Sequence, residues 1–313
     1  VNEHRLIQTI QRKTTRLNVD NISRTEAYRR MYHRLPELHW ALLAASVSRN
    51  AGYQMTDLWH DDMIHGLSER VRWSLFMAYE RANWLIFQDA YPQLLLYEFS
   101  CRLNKPLFHL LDRFHVSSFM YKHWMSFWKE RQSHILTHAL ITNEQHVITR
   151  PILQEKRLKE VFTSPLFYGQ QALHESVVLL PTLHGVLYGQ SVQRFTHIKA
   201  RIQLGRKLYQ MMFFRPYSRS VRQFAQTVVH TGKRLDYQKY IHLGHDFSGP
   251  LLRAAVPMIR HQRFTANDWF IHLRYLEPKH HGTLIDEPLN RWFDDKRKQL
   301  TFLLRMLAYF PKT

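Results

Sequence analysis

The run FMYKHWMSFWKERQSHILTHAL places Glu130, His134 and His138 one helical turn apart along a single stripe. Imidazoles four residues apart, with a carboxylate one turn earlier, make a donor set suited to zinc or iron. With 21 histidines in 313 residues, a His-x-x-x-His pair also arises by chance, so an ordinary polar stripe is the competing reading. Two carboxylates raise a different question. On a helical wheel of residues 67–90, Leu67, Val71, Leu75, Ala78, Ala82, Leu85 and Ile86 form one apolar face, and Trp73, Phe76, Trp84 and Phe87 form a second. A helix that is apolar nearly all round belongs in the interior. Asp89 falls in the centre of the first face and Glu80 in the centre of the second. Buried carboxylates need partners. Each therefore either meets an Arg or Trp from another helix or serves as a catalytic or ligand-binding group. Pointing opposite ways, the two do not form one acid–base pair.

A third group is cationic. On a helix near 190–214, Lys199, Arg206 and Lys207 lie on a polar face opposite Ile198, Ile202, Tyr209, Met212 and Phe213, and Arg215, Arg219 and Arg222 follow at once. Such an array can track phosphates while Phe213, Phe214 and Tyr217 stack on bases. Arg194 and Arg201 fall on the apolar side, placed either to snorkel or to neutralise a buried carboxylate such as Asp89. The sub-region 191–263 holds 14 Lys/Arg against Asp236 and Asp246, a balance of +12 within a chain total of +19. This asymmetry points to a polyanionic partner, nucleic acid first; an anionic membrane surface ranks behind it, because the apolar face suits core packing. Excess charge that only keeps the protein soluble is the plain alternative.

The stretch SVSRNAGYQMTDL supplies Arg49, Asn50 and Asp57 as pocket candidates. Gly52 reads as the residue just past a helix end, and Thr56 or Asp57 as the cap of the next helix. If a pocket exists, it is expected where this turn meets Glu80 or Asp89. Two His-Asp pairs, His60-Asp61 and His245-Asp246, resemble metal-binding pairs of helical phosphohydrolases, but no further ligand set surrounds either. Phosphate-binding glycine loops, the G-x-S-x-G elbow and paired C-x-x-C are missing, so no cofactor is implied.

These residues need a scaffold. Glycine is scarce at 10 residues, period-2 alternation is hard to find and helix starts recur, so the chain reads as all-α. The expectation is one domain over 1–313, with roughly 10–14 helices around the nearly fully buried central helix. Ser23 with Glu26 reads as a capping box, and Pro36 as the first residue of the next helix. Further helices are expected near 61–90, 92–103, 118–148, 168–188, 190–214, 218–231, 250–260, 266–276 and 288–309. No apolar run reaches the roughly 20 residues of a membrane span. The single cysteine, Cys101, together with the lack of an apolar leader, points to the cytoplasm.

The runs NISRTEAYRRMYHRLPELHWALLAASVSRNAGYQMTDL, ERANWLIFQDAYPQLLLYE, ALITNEQHVI and LLPTLHGVLYG resemble the YppC-like family of Bacillus and its relatives, a domain of unknown function. The likeness extends over nearly the whole chain. It implies a single-domain protein of a spore-forming Firmicute, and it carries no catalytic residue over.

Overall fold

The structure is a computed structural model that describes residues 2–149, 151, 177–191, 197–241, 249–262, 268–272 and 284–308. The chain opens with α1 (Glu3–Leu17), α2 (Asn21–Arg34) and α3 (His39–Asp57). The α2 cap is Asp20, whose carboxylate accepts the Ser23 N–H at 2.6 Å, so the Ser23–Glu26 capping box does not form. Glu26 instead pairs with Arg29 and Arg30. Pro36 lies in the turn before α3, not at its first residue. The expected break at Gly52 is also absent, because α3 runs through it to Asp57. The glycine answers a close approach: a Cβ there would stand 2.3 Å from Asn21 Oδ1 and 2.7 Å from His230 Nε2.

A short helix, α4 (Asp61–Gly66), leads into α5 (Glu69–Leu103), the expected central helix. It continues through Pro92, where two separate helices, 61–90 and 92–103, were expected. Pro92 removes the N–H that would reach the Gln88 carbonyl and crowds that carbonyl with its ring, and burial of Phe87, Ala90, Leu94, Leu95, Leu96 and Tyr97 outweighs that cost. After a 3-10 turn (Phe108–Phe114) come α6 (Phe119–Glu130) and α7 (Ser133–Ile148). The expected single helix over 118–148 is thus two, separated at Arg131, whose φ of 57° ends α6 in the left-handed region. The Arg131 guanidinium lies 4.8 Å from the Trp128 ring and hydrogen-bonds the Tyr97 hydroxyl, which holds the break in place.

The helix expected over 168–188 is corrected where it is described: β1 (Val177–Pro181) and β2 (Leu187–Ser191) form an antiparallel hairpin, with Val177 opposite Ser191 and Pro181 opposite Leu187. The β-branched pair Val177-Val178 favours a strand, and Gly185, at φ 77°, makes the turn. Then follow α8 (Ile198–Phe213), α9 (Ser218–Thr227), the single turns α10 (Leu235–Gln238) and α11 (Leu252–Ala255), a 3-10 turn (Trp269–His272) and α12 (Asn290–Ala308). Of the helix expected over 250–260 only α11 forms, and residues 256–262 run on as an irregular strap.

The largest apolar core joins α1, α2, α3, α5, α6, α7 and α8. A second joins the first half of α5 to α4, α11 and α12, and a third packs the hairpin against Tyr53, Phe224, Tyr237 and Phe293. Among the described residues the protein is all-α apart from this hairpin, and no helix is long and apolar enough to cross a membrane.

Candidate functional site

Glu80 has the partner that its burial requires. Arg24, fully buried on α2, donates to Glu80 Oε2 and, through Nη1, to Asn18 Oδ1 at 3.2 Å. The other Glu80 oxygen, Oε1, faces His261 Nε2 at 3.4 Å. His261 lies on the strap against the Trp84 ring, 5.3 Å between centroids. The turn that leads into the strap is held where Arg253 of α11 pairs with Asp20 at 2.7 Å, and the strap's far end where the Gln262 carbonyl accepts from Arg81 at 3.0 Å.

Between α1, α5 and this strap opens a cleft of about 480 Å³. Gln11, Thr14, Thr15, Asn18 and Gln88 supply its polar wall, and Arg260 and His261 close one side. Val19, Trp84, Pro92, Phe114, Met258 and Ile259 supply its apolar wall. Two buried polar atoms of the lining, His261 Nε2 and Gln88 Oε1, and two just behind it, Arg24 Nε and Glu80 Oε1, have no hydrogen-bond partner among the described atoms. Such groups are rare in folded proteins, and each calls for an explanation.

Arg49, Asn50 and Asp57 lie on the buried side of α3 and do not line this cleft. Asn50 acts as a strand edge: its amide donates to the Leu179 carbonyl at 2.7 Å and accepts the Leu179 N–H at 2.8 Å. Arg49 donates to the Val228 carbonyl and sits 3.9 Å from Asp236 Oδ2. Asn21 Nδ2 donates to the Ser48 carbonyl at 2.8 Å, which leaves its Oδ1 to accept from His230 Nε2 at 2.8 Å. His230 therefore carries its proton on Nε2. Burial drives its pKa down to about 4, against the pull of Asp236. Neutral and enclosed, His230 is a structural link. Asp57 binds Arg234 at 2.7 Å and Arg297 at 3.3 Å.

Asp89 accepts from Asn143 at 2.6 Å and Gln93 at 2.8 Å, and Glu144 accepts from Trp40 at 3.1 Å and Gln145 at 3.0 Å. Burial pushes Asp89 up to about 7, although the hydrogen bonds from Asn143 and Gln93 oppose it. Burial likewise pushes Glu144 to about 8, with the Asp89 charge adding to the rise. Arg201 does not neutralise Asp89: its guanidinium donates to Gln145 Oε1 at 2.8 Å and Thr149 Oγ1 at 2.9 Å, pinning α8 to the end of α7.

Two expected constellations are taken apart by the fold. Glu130 ends α6 while His134 and His138 ride on α7, so the three do not share a stripe. Among the described residues, no three His, Cys, Asp or Glu side chains are grouped to hold a metal ion. On the basic face Arg206 is buried, Arg215 pairs with Asp286 at 2.7 Å, and Arg222 donates to the Met212 carbonyl at 2.6 Å beneath the Phe213 ring. Lys199 and Arg219 are exposed and Lys207 is half-buried. Arg194, His245 and Asp246 lie outside the described residues, while His60 caps α4 by accepting the Asp62 N–H.

Sequence reasoning missed His261, Arg24, Gln88 and Glu144. His261 sits in irregular chain where no periodicity marks it, and its role depends on Glu80 far away in sequence. A fully buried arginine on α2 was in principle readable as the partner demanded by Glu80.

Residues 16–283 match the family described as "Protein of unknown function (DUF2515)". The chain is 44% identical to "Uncharacterized protein YppC" of Bacillus subtilis (strain 168), an alignment covering 98% of this chain and 97% of that protein. No solved structure matches.

Proposed function

For a chain that belongs to the DUF2515 family of proteins of unknown function, we propose that the cleft between α1, α5 and residues 256–262 binds a small organic molecule. One observation carries this reading: Gln88 Oε1 and His261 Nε2, two buried polar atoms of the cleft lining, make no hydrogen bond, and His261 Nε2 meets only Glu80 Oε1, at 3.4 Å, behind it. A ligand head group that both donates and accepts would complete the sets of His261, Gln88 and Glu80. The Trp84, Pro92 and Phe114 wall suits an apolar body, and Arg260 favours an anionic substituent. A volume of about 480 Å³ is in the range that holds molecules of about 200–400 Da. The Glu80–His261 pair is the acid–base group such a ligand would meet, reached through His261. Asp89 takes no part in this reading.

Native mass spectrometry of protein purified under mild conditions tests the idea. The expected result is a non-covalent adduct in that mass range, lost in Thr15→Trp, which places an indole across the cleft from an exposed α1 position. An adduct kept by the variant would contradict the reading.

A second reading retains polyanion binding, supported by the exposed Lys199 and Arg219 and the half-buried Lys207. Of the six basic residues of this array, Arg206 is buried and Arg215 and Arg222 are bonded within the chain, so about three phosphate contacts remain in it, and the salt dependence of nucleic-acid binding through it is correspondingly shallow.

A further inference from the structure

A second, smaller cavity of about 60 Å³ shares no lining residue with the cleft. It is lined by the end of α3, α4, the first half of α5, β1, the residue before the α10 turn and α12, and it opens to solvent on one side. Its charged lining is Asp57, Arg234, Lys296 and Arg297, three cations and one carboxylate. Both guanidiniums converge on the same carboxylate oxygen: Asp57 Oδ2 accepts from Arg234 Nε at 2.7 Å and from Arg297 Nη1 at 3.3 Å. Asp57 Oδ1 is buried with no hydrogen-bond partner. The Asp57, Arg234 and Arg297 side chains are only 5%, 7% and 14% exposed, so their charges act in a weakly screened setting. Lys296 stands further out, its ammonium 3.0 Å from the exposed Gln299 side chain.

This combination makes an unusual demand on an occupant. The excess of cations calls for an anion, and guanidiniums suit the oxygens of a tetrahedral oxyanion. The open Asp57 Oδ1 accepts only from a donor, so a fully deprotonated anion meets repulsion there while one that still carries a proton gains a hydrogen bond. The volume is enough for several water-sized groups and no more.

We propose that this cavity is a binding site for the hydrogen phosphate ion, with Arg234, Arg297 and Lys296 facing its oxygens and Asp57 Oδ1 accepting its proton. Phosphate near neutral pH keeps a proton, whereas sulfate does not, so Asp57 makes the site prefer phosphate between two ions of nearly equal size. The proposal is independent of the cleft reading, and it assigns part of the net positive charge to one interior site rather than to an extended surface.

Isothermal titration with sodium phosphate, sodium sulfate and methyl phosphate at constant ionic strength is the test, run on the full chain and on Lys296→Gln. The lysine change is chosen because its ammonium lies on an exposed neighbour, so the fold survives it. Inorganic phosphate is expected to bind at one site per chain, about tenfold or more tighter than sulfate, and about threefold or more weaker in Lys296→Gln. Methyl phosphate, largely without its second proton near neutral pH, is expected to bind much more weakly than inorganic phosphate; equal binding would overturn the role given to Asp57. No heat of binding with phosphate, equal affinity for sulfate, or an unchanged affinity in Lys296→Gln would overturn the proposal. Asp57→Asn checks the selectivity directly: in protein that stays folded, the preference for phosphate over sulfate disappears.

Discussion

Two residues show how tightly side-chain identity is set here. Arg24 and Glu80 are both buried, so removing one partner leaves the other charged and enclosed. Glu80→Gln is expected to destabilise the fold by about 3–5 kcal/mol, and the double change Arg24→Met with Glu80→Met to recover most of that loss. Urea unfolding of the three variants checks this; a mild single variant or an equally damaged double one contradicts it. At Gly52, Ala gains helix propensity of about 1 kcal/mol. Its Cβ would nevertheless stand 2.3 Å from Asn21 Oδ1 and break the Asn21–His230 bond. Gly52→Ala is therefore expected to destabilise by about 1–3 kcal/mol net, measured as a shift in the urea midpoint. If Gly52 served only to end a helix, the same change would be harmless.

Among elements, the central helix was legible because two apolar faces leave no room for solvent, and the burial of both Glu80 and Asp89 followed from the same wheel. The hairpin was not legible: the run VVLLPTLHGVLYG is apolar throughout, and periodicity does not separate a buried strand from a buried helix over so few residues. The α6–α7 break was hidden for another reason. It rests on Arg131 adopting a left-handed conformation that Trp128 and Tyr97 hold through tertiary contacts. The basic array was half legible; its charges were visible, but α8 packs against α7 and α9, which draws Arg206 and Arg222 inward. Asn50 supplies the element-scale prediction. Its side chain satisfies both polar groups of Leu179, so Asn50→Ala leaves a buried N–H and C=O unpaired, a loss of about 2–4 kcal/mol. Hydrogen exchange is expected to show the Leu179 amide losing protection, with the amides of α5 changing far less. Uniform loss across both would mean that Asn50 has no local role in the hairpin.

At the scale of the whole molecule, buried titrating groups oppose one another. His39, His123, His146 and His230 are each lowered from 6.5 to about 4 by burial, so the unfolded chain binds more protons on them and stability falls as pH drops below about 6.5. Asp89 and Glu144 are raised to about 7 and about 8, so the folded chain holds their protons longer and stability falls as pH rises from about 4 through those values. Four histidines outweigh two carboxylates on the acid side, which puts the stability maximum near pH 6.5. Asp89→Asn with Glu144→Gln is expected to flatten the limb between pH 6.5 and 8; an unchanged limb contradicts the assignment. The basic array makes a separate prediction: with Lys199, Lys207 and Arg219 left to contact phosphates, the log K against log salt slope for DNA is near −3 rather than the six or so units of the full set. The cleft is the account's central claim. The most direct measurement is titration with 8-anilinonaphthalene-1-sulfonate, whose aromatic body and single sulfonate match the Trp84 wall and Arg260. One dye per chain, bound about tenfold or more weakly by folded Thr15→Trp, is the predicted result; no binding, or equal binding by the variant, would contradict it.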